Sequence, residues 1–587
     1  MMMASAWRSL VASLLIAGGA SPASADNAAL MTLIAQTFGK SAVDSGAAVG
    51  VGLALIAPGQ APAFFSYGYA NKSANVLFGS DVSFEIGSVT KVFTTNLLGQ
   101  AIYGGRLALN QPISAFPRML GSFKPLTAKV TLAELADFTA GFPSLAPNCN
   151  EKNQPPGCLK TDRPSTSEYT AQDFLRYFQN ATPQNLQPPP PSLKALPAPY
   201  FYSDFTVGLL GLILGANPNG LLSNAALKGW EALLQKQILG PLNMRDTALY
   251  PSTSSSSTAL GYQQAIGAPV VVNGALSAIN VVVAGAGYRS PADPPKVAIS
   301  GGAGVGAQAT AQVGGNGSVT GFTVVQAGQG YVSPPKVAFV PAPGFPAPSS
   351  PAKGEAVVSG GKIIGVNIVE HGAGYAAAPT VVFSGGFGGG VGRNATGTVQ
   401  IANGEVAFVG IADGGDGYAL PLSVVVDPGD GFTNVVPIWA PAGALHSTVQ
   451  NMATFAQAAL GSPGVLVPPA MAAGFKIAQT PRACTGQKPS LSKCPANILL
   501  SDLAWATIPE DKVNHVPAIV LKNGGLTGFS TQIMLMPARG LGVVVFANSN
   551  GNQVSDNKST GEAPLIARGA LYALFYQLGG GGASAPR

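Results

Sequence analysis

The chain has 587 residues, a formal charge of +6 and only 10% charged residues. That length exceeds what one core organises, so two or more domains are expected. A hydrophobic content of 47% excludes a largely disordered chain, and without any basic run no nucleic-acid partner is expected.

At the N-terminus Arg8 precedes the apolar stretch Leu10 to Ala17, and Ala23-Ser24-Ala25 follows. A cationic start, a short apolar core and small residues before the junction describe a secretory signal peptide over 1–25. No other stretch reaches about 18 apolar residues, so no transmembrane segment is expected and the mature chain is read as periplasmic or secreted. The four cysteines form two close pairs, Cys149 with Cys158 and Cys484 with Cys494, without Cys-x-x-Cys spacing or a nearby histidine. Two local disulfides in an oxidising compartment is the economical reading.

Residues 46–70 contain two strand-like runs around Pro58-Gly59-Gln60, a hairpin signal. From 88 to 103 the apolar positions Val89, Val92, Phe93, Leu97 and Ile102 follow helical spacing, and 205–215 and 226–239 are also helix-like. Then Gly-x-Gly-Tyr recurs four times, ending at Tyr288, Tyr331, Tyr375 and Tyr418, with spacings of 43, 44 and 43 residues. Short β-branched runs flank each copy, so the array reads as all-β units from about 269 to 434. Its tyrosines either stand exposed as a polysaccharide-binding surface or pack the turns, and packing is the expected outcome. Its glycine turns open no helix, so they are not phosphate cradles. Asp413, Asp416, Asp427 and Asp430 lack a regular calcium-ligand pattern.

After the repeats, 531–536 and 541–547 make a second hairpin, and a helix containing Leu565, Leu571 and Phe575 ends the ordered part. The fold class expected is α+β, with an antiparallel sheet built from both chain ends and a helical subdomain. The expected domains are a hydrolase part over 26–268, an inserted β-rich repeat module over 269–434, a second hydrolase part over 435–578 and a tail over 579–587.

The sequence has three histidines and no Gly-x-Ser-x-Gly elbow, which argues against an α/β-hydrolase triad. Gly39-Lys40-Ser41 ends like a phosphate loop, but Ile34 stands where its first glycine belongs. What remains is Ser88-Val89-Thr90-Lys91 at a helix start, where residues i and i+3 share one face. A lysine of lowered pKa there can take the proton of the serine hydroxyl. Tyr202-Ser203-Asp204 follows a proline-rich stretch, and Lys522-Asn523-Gly524-Gly525 precedes the last hairpin.

Ser-x-x-Lys, then a Tyr-x-Asn-like and a Lys-Thr-Gly-like element in this order, resembles the serine β-lactamase and penicillin-binding protein superfamily. Within it the sequence is similar to the class C β-lactamase-like branch, which includes D-alanyl-D-alanine carboxypeptidases and esterases. Thr139-Ala140-Gly141-Phe142-Pro143 and Gly240-Pro241-Leu242-Asn243-Met244 extend the likeness, over about 40–268 and 435–578. The resemblance implies Ser88 as nucleophile, and Lys91 and Tyr202 as proton carriers. It also implies Lys522 as a source of positive potential and an oxyanion hole from the backbone N–H groups of Ser88 and Gly525. Asp204, Asn523 and Gly524 would then line the substrate, a small-molecule or peptidoglycan-like acyl compound. It implies no metal and no organic cofactor.

Three positions depart from the pattern. Asp204 stands for asparagine and can only accept hydrogen bonds when ionised; beside Lys91 it is expected to favour the protonated lysine and shift the base role to Tyr202. Asn523 replaces a hydroxyl residue. In the stretch Asp137-Phe138-Thr139-Ala140-Gly141, which often reads His-Thr-Ser-Gly, the histidine is missing. The expected activity is hydrolysis of a β-lactam or D-alanyl peptide-like amide. The alternatives are an esterase on acyl or polymer esters, and a wall- or polymer-binding protein, attached through the repeats, with a vestigial hydrolase domain.

Overall fold

The computed structural model describes residues 24–578, except 73, 117–128, 143, 145–196, 217–223, 251–256, 263–265, 284–296, 314–318, 333–335, 341–347, 385, 387–394, 420–422, 427–439, 486–493, 495–497, 527 and 550–561. The expected leader (apart from Ser24 and Ala25), Tyr288 and the tail lie outside the described residues. So do Cys149 and Cys158, and with them the first of the two expected disulfides. The second is present: Cys484 and Cys494 are joined, with Cα atoms 5.8 Å apart.

Helix α1 (Ser24–Ala35) leads to the hairpin of β1 (Gly50–Ile56) and β2 (Ala63–Asn71), with β3 (Val76–Leu77) at its edge. After β4 (Phe84–Glu85) come α2 (Thr90–Tyr103), the short α3 (Leu132–Ala136), α4 (Asp204–Gly215) and α5 (Asn224–Leu234). Beyond the repeats follow β17 (His446–Ser447), α6 (Val449–Leu460) and α7 (Pro469–Ala478). The chain closes with β18 (Ala483–Cys484), β19 (Leu500–Ser501), β20 (Ala506–Ile508), β21 (Ile519–Leu526), β22 (Phe529–Met536), β23 (Leu541–Ala547) and α8 (Glu562–Gln577).

One nine-stranded sheet runs β18-β19-β20-β21-β22-β23-β1-β2-β3, all antiparallel. Strands from the two ends of the chain meet at its centre, where Val51 pairs with Ala547 and Ile56 with Gly542. β1 and β23 are buried along their whole length, because both faces of the sheet are covered. Val51, Leu53, Leu55, Val543 and Val545 pack with α1 and α8. Ala54, Ile56, Ile533, Val544 and Phe546 pack on the other side with Phe84, Phe93, Leu209 and Trp230.

Helix α2 is the centre of that second layer, and its polar residues are buried with partners. Thr94 donates to the Pro441 carbonyl at 2.7 Å and accepts from Trp230 Nε1 at 3.1 Å; Asn96 donates to the Met471 carbonyl at 3.2 Å. Burial without partners would cost each group its hydration, so these bonds fix how α2 sits against its neighbours.

The repeat strands are β5 (Ile266–Val272), β6 (Ala275–Val283), β7 (Val297–Ser300), β8 (Val305–Val313), β9 (Val319–Gln329), β10 (Lys336–Val340), β11 (Lys353–Ser359), β12 (Lys362–Glu370), β13 (Thr380–Ser384), β14 (Thr396–Ala402), β15 (Glu405–Asp413) and β16 (Ser423–Val426). Among the described residues they pair only with one another. β5 begins three residues before the expected boundary at 269. Asn273-Gly274, Gly360-Gly361 and Asn403-Gly404 all have positive φ at both positions, as tight hairpins require. The last strand, β16, lies between β5 and β7, so the array returns to its own first hairpin.

The three described repeat tyrosines are turn-packing residues, only 7%, 5% and 3% exposed, and do not form a binding surface. Tyr331, Tyr375 and Tyr418 accept backbone N–H bonds at their hydroxyls from Ala307 (3.1 Å), Ala352 (2.8 Å) and Ala395 (2.8 Å). Tyr418→Phe strands the buried Ala395 N–H and is expected to cost about 1–3 kcal/mol, read from the urea midpoint. A midpoint unchanged from wild type would show that the bond is dispensable.

The β14–β15 hairpin docks on the α1/α8 face of the sheet, the face away from α2. Ala402 and Ala407 join that core, Glu405 pairs with Arg568 at 2.5 Å, and the Asn403 N–H donates to the Asp511 carboxylate. Phe408 stacks on Tyr576 with ring centroids 5.9 Å apart. Among the described residues no helix is long and apolar enough to cross a membrane.

Candidate active site

Phe84 anchors the entry to α2: its ring stacks on Phe546 at 4.7 Å and meets Phe529 edge-on at 5.0 Å. The Ile86 N–H then donates to Leu445, Gly87 turns to φ 52°, and a 3-10 turn over Gly87–Val89 leads into the helix. Ser88 is the one partly exposed residue between Val82 and Ala101. Its hydroxyl is therefore presented at the rim of an otherwise buried segment.

Two glycines bring β21 against this turn. A Cβ on Gly87 would lie 2.9 Å from the Gly525 nitrogen. One on Gly524 would lie 2.1 Å from the Ile86 carbonyl oxygen and 2.2 Å from Thr531 Oγ1. Thr531 donates to that same carbonyl at 2.8 Å, tying β22 to the turn through the gap. Only bare Cα atoms permit such an approach, and it sets the Gly525 backbone beside that of Ser88.

Lys91 is fully buried and its Nζ meets three acceptors: Ser88 Oγ at 2.9 Å, the Ala442 carbonyl at 2.7 Å and the Asp204 carboxylate. An ammonium has three donors, so this arrangement satisfies it completely. Tyr202 comes from the segment before α4, whose first turn is capped by Ser203 accepting from Thr206 N–H at 3.0 Å. The Tyr202 hydroxyl is hydrogen-bonded to the Ser88 side chain and accepts from Lys522 Nζ at 3.3 Å. Lys91 and Lys522 place Nζ 5.0 Å and 4.8 Å from the Tyr202 ring centroid.

The structure thus brings together Ser88, Lys91, Tyr202, Asp204, Lys522, Gly524 and Gly525, which lie up to 437 residues apart in sequence. Asn523 is on β21 between Lys522 and Gly524, paired with Gln532, and strand alternation turns it to the other side from Lys522. The Ala442 carbonyl escaped the sequence reading because a backbone acceptor leaves no residue signature. Phe138, at the place of the missing histidine, packs its ring 4.7 Å from that of Tyr202.

Burial lowers the pKa of Lys91, and the nearby Asp204 offsets only part of that. Burial and the charge of Lys91 hold Lys522 well below the usual lysine range. Tyr202 is pushed well above the usual phenol range by burial and, secondly, by Asp204. These directions run against the expectation that Asp204 shifts the base role to Tyr202. Its carboxylate does favour the lysine cation, but burial outweighs it, and the same charge disfavours a tyrosine phenolate.

A family model described as Beta-lactamase matches residues 34–567. A beta-lactamase from Pseudomonas fluorescens is 30% identical over 231 residues, which is 39% of this chain and 54% of that protein. The D-alanyl-D-alanine-carboxypeptidase/endopeptidase AmpH of Escherichia coli (strain K12) is 29% identical over 208 residues, or 35% and 46% of the two chains. The chain spans about half the length of the curated relatives it matches. A solved class C beta-lactamase superposes with a TM-score of 0.50 at 14% identity, covering 97% of this chain and all of that one, a likeness of fold.

Proposed function

The chain belongs to the beta-lactamase family, and from that premise we propose that it is a serine hydrolase of the β-lactamase/DD-peptidase type that works through an acyl-enzyme on Ser88. The observation that carries this is the 2.9 Å contact between Lys91 Nζ and Ser88 Oγ, with the Tyr202 hydroxyl bonded to the same serine side chain and held in turn by Lys522 Nζ at 3.3 Å. Burial lowers the pKa of Lys91. As the neutral amine it donates to Asp204 and the Ala442 carbonyl, turns its lone pair to Ser88 and accepts the serine proton as Oγ attacks the acyl carbon. The oxyanion develops between the N–H groups of Ser88 and Gly525. Tyr202, held by Lys522, passes a proton to the leaving group and recovers one from Lys91. In deacylation water takes the place of the leaving group, gives its proton to the same pair, and frees the acid and Ser88. Reaction with a fluorophosphonate or a fluorescent penicillin tests the proposal, and an unlabelled Ser88 would refute it.

The substrate we favour is a β-lactam or D-alanyl peptide-like amide, as the names of the relatives suggest. An ester is the second reading, and Asp204 is what favours it. An asparagine amide can donate to a substrate carbonyl, whereas this carboxylate presents only lone pairs. Turnover of a chromogenic cephalosporin against a p-nitrophenyl ester separates the two.

Asp204→Asn provides a sharper test. Removing the carboxylate leaves burial unopposed at Lys91, so its pKa falls further and the acidic limb of kcat/KM moves to lower pH. The restored donor is also expected to move the cephalosporin-to-ester ratio about tenfold toward the amide. A limb that moves to higher pH would contradict the role given to Lys91.

A further inference from the structure

Phe138 occupies a backbone position at which glycine is the usual residue. It follows the cap residue Asp137 of α3, and the Thr139 N–H donates to the Glu134 carbonyl at 3.1 Å across it. That bond pattern ends a helix through one left-handed residue, and Phe138 has φ 66°. A side chain there crowds its own backbone, so a phenylalanine implies a use for the ring.

The ring is 2% exposed. It lies 4.7 Å from the Tyr202 ring at 39° and 5.7 Å from the Tyr200 ring at 85°. It is buried with Val207 of α4 and with Ala442, whose carbonyl accepts from Lys91. The Phe138 carbonyl accepts from Phe201 N–H at 2.9 Å, and the Thr139 carbonyl from Ala198 N–H at 2.8 Å. One residue therefore grips the segment that carries Tyr202 by main chain and side chain together.

We propose that Phe138 is a positioning residue that holds the Tyr202 phenol within reach of Ser88 and Lys522; the proposal rests on the role given above to Tyr202. Hydrogen bonds alone are poorly suited to hold that phenol. Its contact with Lys522 is 3.3 Å long, and its bond to Ser88 must change when the serine gives up its proton. Packing does not depend on protonation state, so an aromatic face fixed by a rigid turn keeps the ring in place through both half-reactions.

The test measures acylation by whichever of the cephalosporin and the ester the wild type turns over. Phe138→Leu keeps an apolar side chain but loses the flat face, and is expected to lower the acylation rate constant about tenfold. Binding of a non-covalent inhibitor should stay within about twofold, and Phe138→Tyr should restore the rate. Phe138→Gly, which the left-handed turn accommodates without strain, serves as second variant and should lose at least as much. Wild-type turnover with unchanged acylation in a folded Leu or Gly variant would overturn this proposal alone. A wild type that neither turns over nor labels at Ser88 would overturn the parent reading and this one with it.

Discussion

Ser88→Ala is expected to abolish covalent labelling and to lower kcat/KM by about 10⁴-fold or more, the scale on which loss of a nucleophile acts in acyl-transfer enzymes. Lys91→Met should come close to the same loss for a different reason. It keeps a long apolar side chain in a fully buried place but removes the only amine within hydrogen-bond distance of Ser88 Oγ among the described residues. It also leaves Asp204 and the Ala442 carbonyl without their buried partner, so a thermal melt must accompany the kinetics. If folded Lys91→Met kept a tenth of wild-type turnover, Lys91 would not be the base. The double variant should be little worse than either single one, since residues that act as a unit are not additive.

Gly524→Ala is the second large effect, and it acts through space rather than charge. The added methyl would fall 2.1 Å from the Ile86 carbonyl oxygen, 2.2 Å from Thr531 Oγ1 and 3.1 Å from the Val89 nitrogen. None of the three can yield easily: two are backbone atoms, and the hydroxyl is bonded to the Ile86 carbonyl. β21 must shift away from the nucleophile turn, at a cost of about 1–3 kcal/mol or more in stability. Gly525 N–H moves with it, and loss of one oxyanion donor costs about 10²–10³ in kcat. A folded Gly524→Ala enzyme with wild-type kcat would mean that the Gly525 N–H does not hold the oxyanion.

Much of the sheet was legible in advance because its strands are flanked by tight turns and stay apolar along their length. The hairpins expected over 46–70 and 531–547 occur at 50–71 and 529–547, and the two chain ends share one sheet as expected. α1, α6 and α7 were not expected. α1 adjoins the apolar leader, and α6 and α7 are rich in alanine. The helix expected over 226–239 is α-helical to Leu234 and continues as a π-helical turn over Gln235–Leu239. Spacing of apolar residues cannot register that change of hydrogen-bonding pattern.

Ser88, Lys91, Tyr202 and Lys522 could be found from sequence because each is a side chain with distinctive chemistry at a fixed place in an ordered set of motifs. Spacing on one helix face also determined that Lys91 reaches Ser88. What Lys91 does there could not be read locally. Its pKa depends on burial and on Asp204, and its placement on the Ala442 carbonyl 351 residues away. Sequence identifies which charges are present, whereas only the tertiary structure decides how much water each one loses. The expectation that Asp204 shifts the base role toward Tyr202 left that loss out: burial lowers the pKa of Lys91 and raises that of Tyr202. The same holds for Phe138, an ordinary apolar residue in sequence, which becomes a candidate support for Tyr202 only once α3 ends in a left-handed turn beside it.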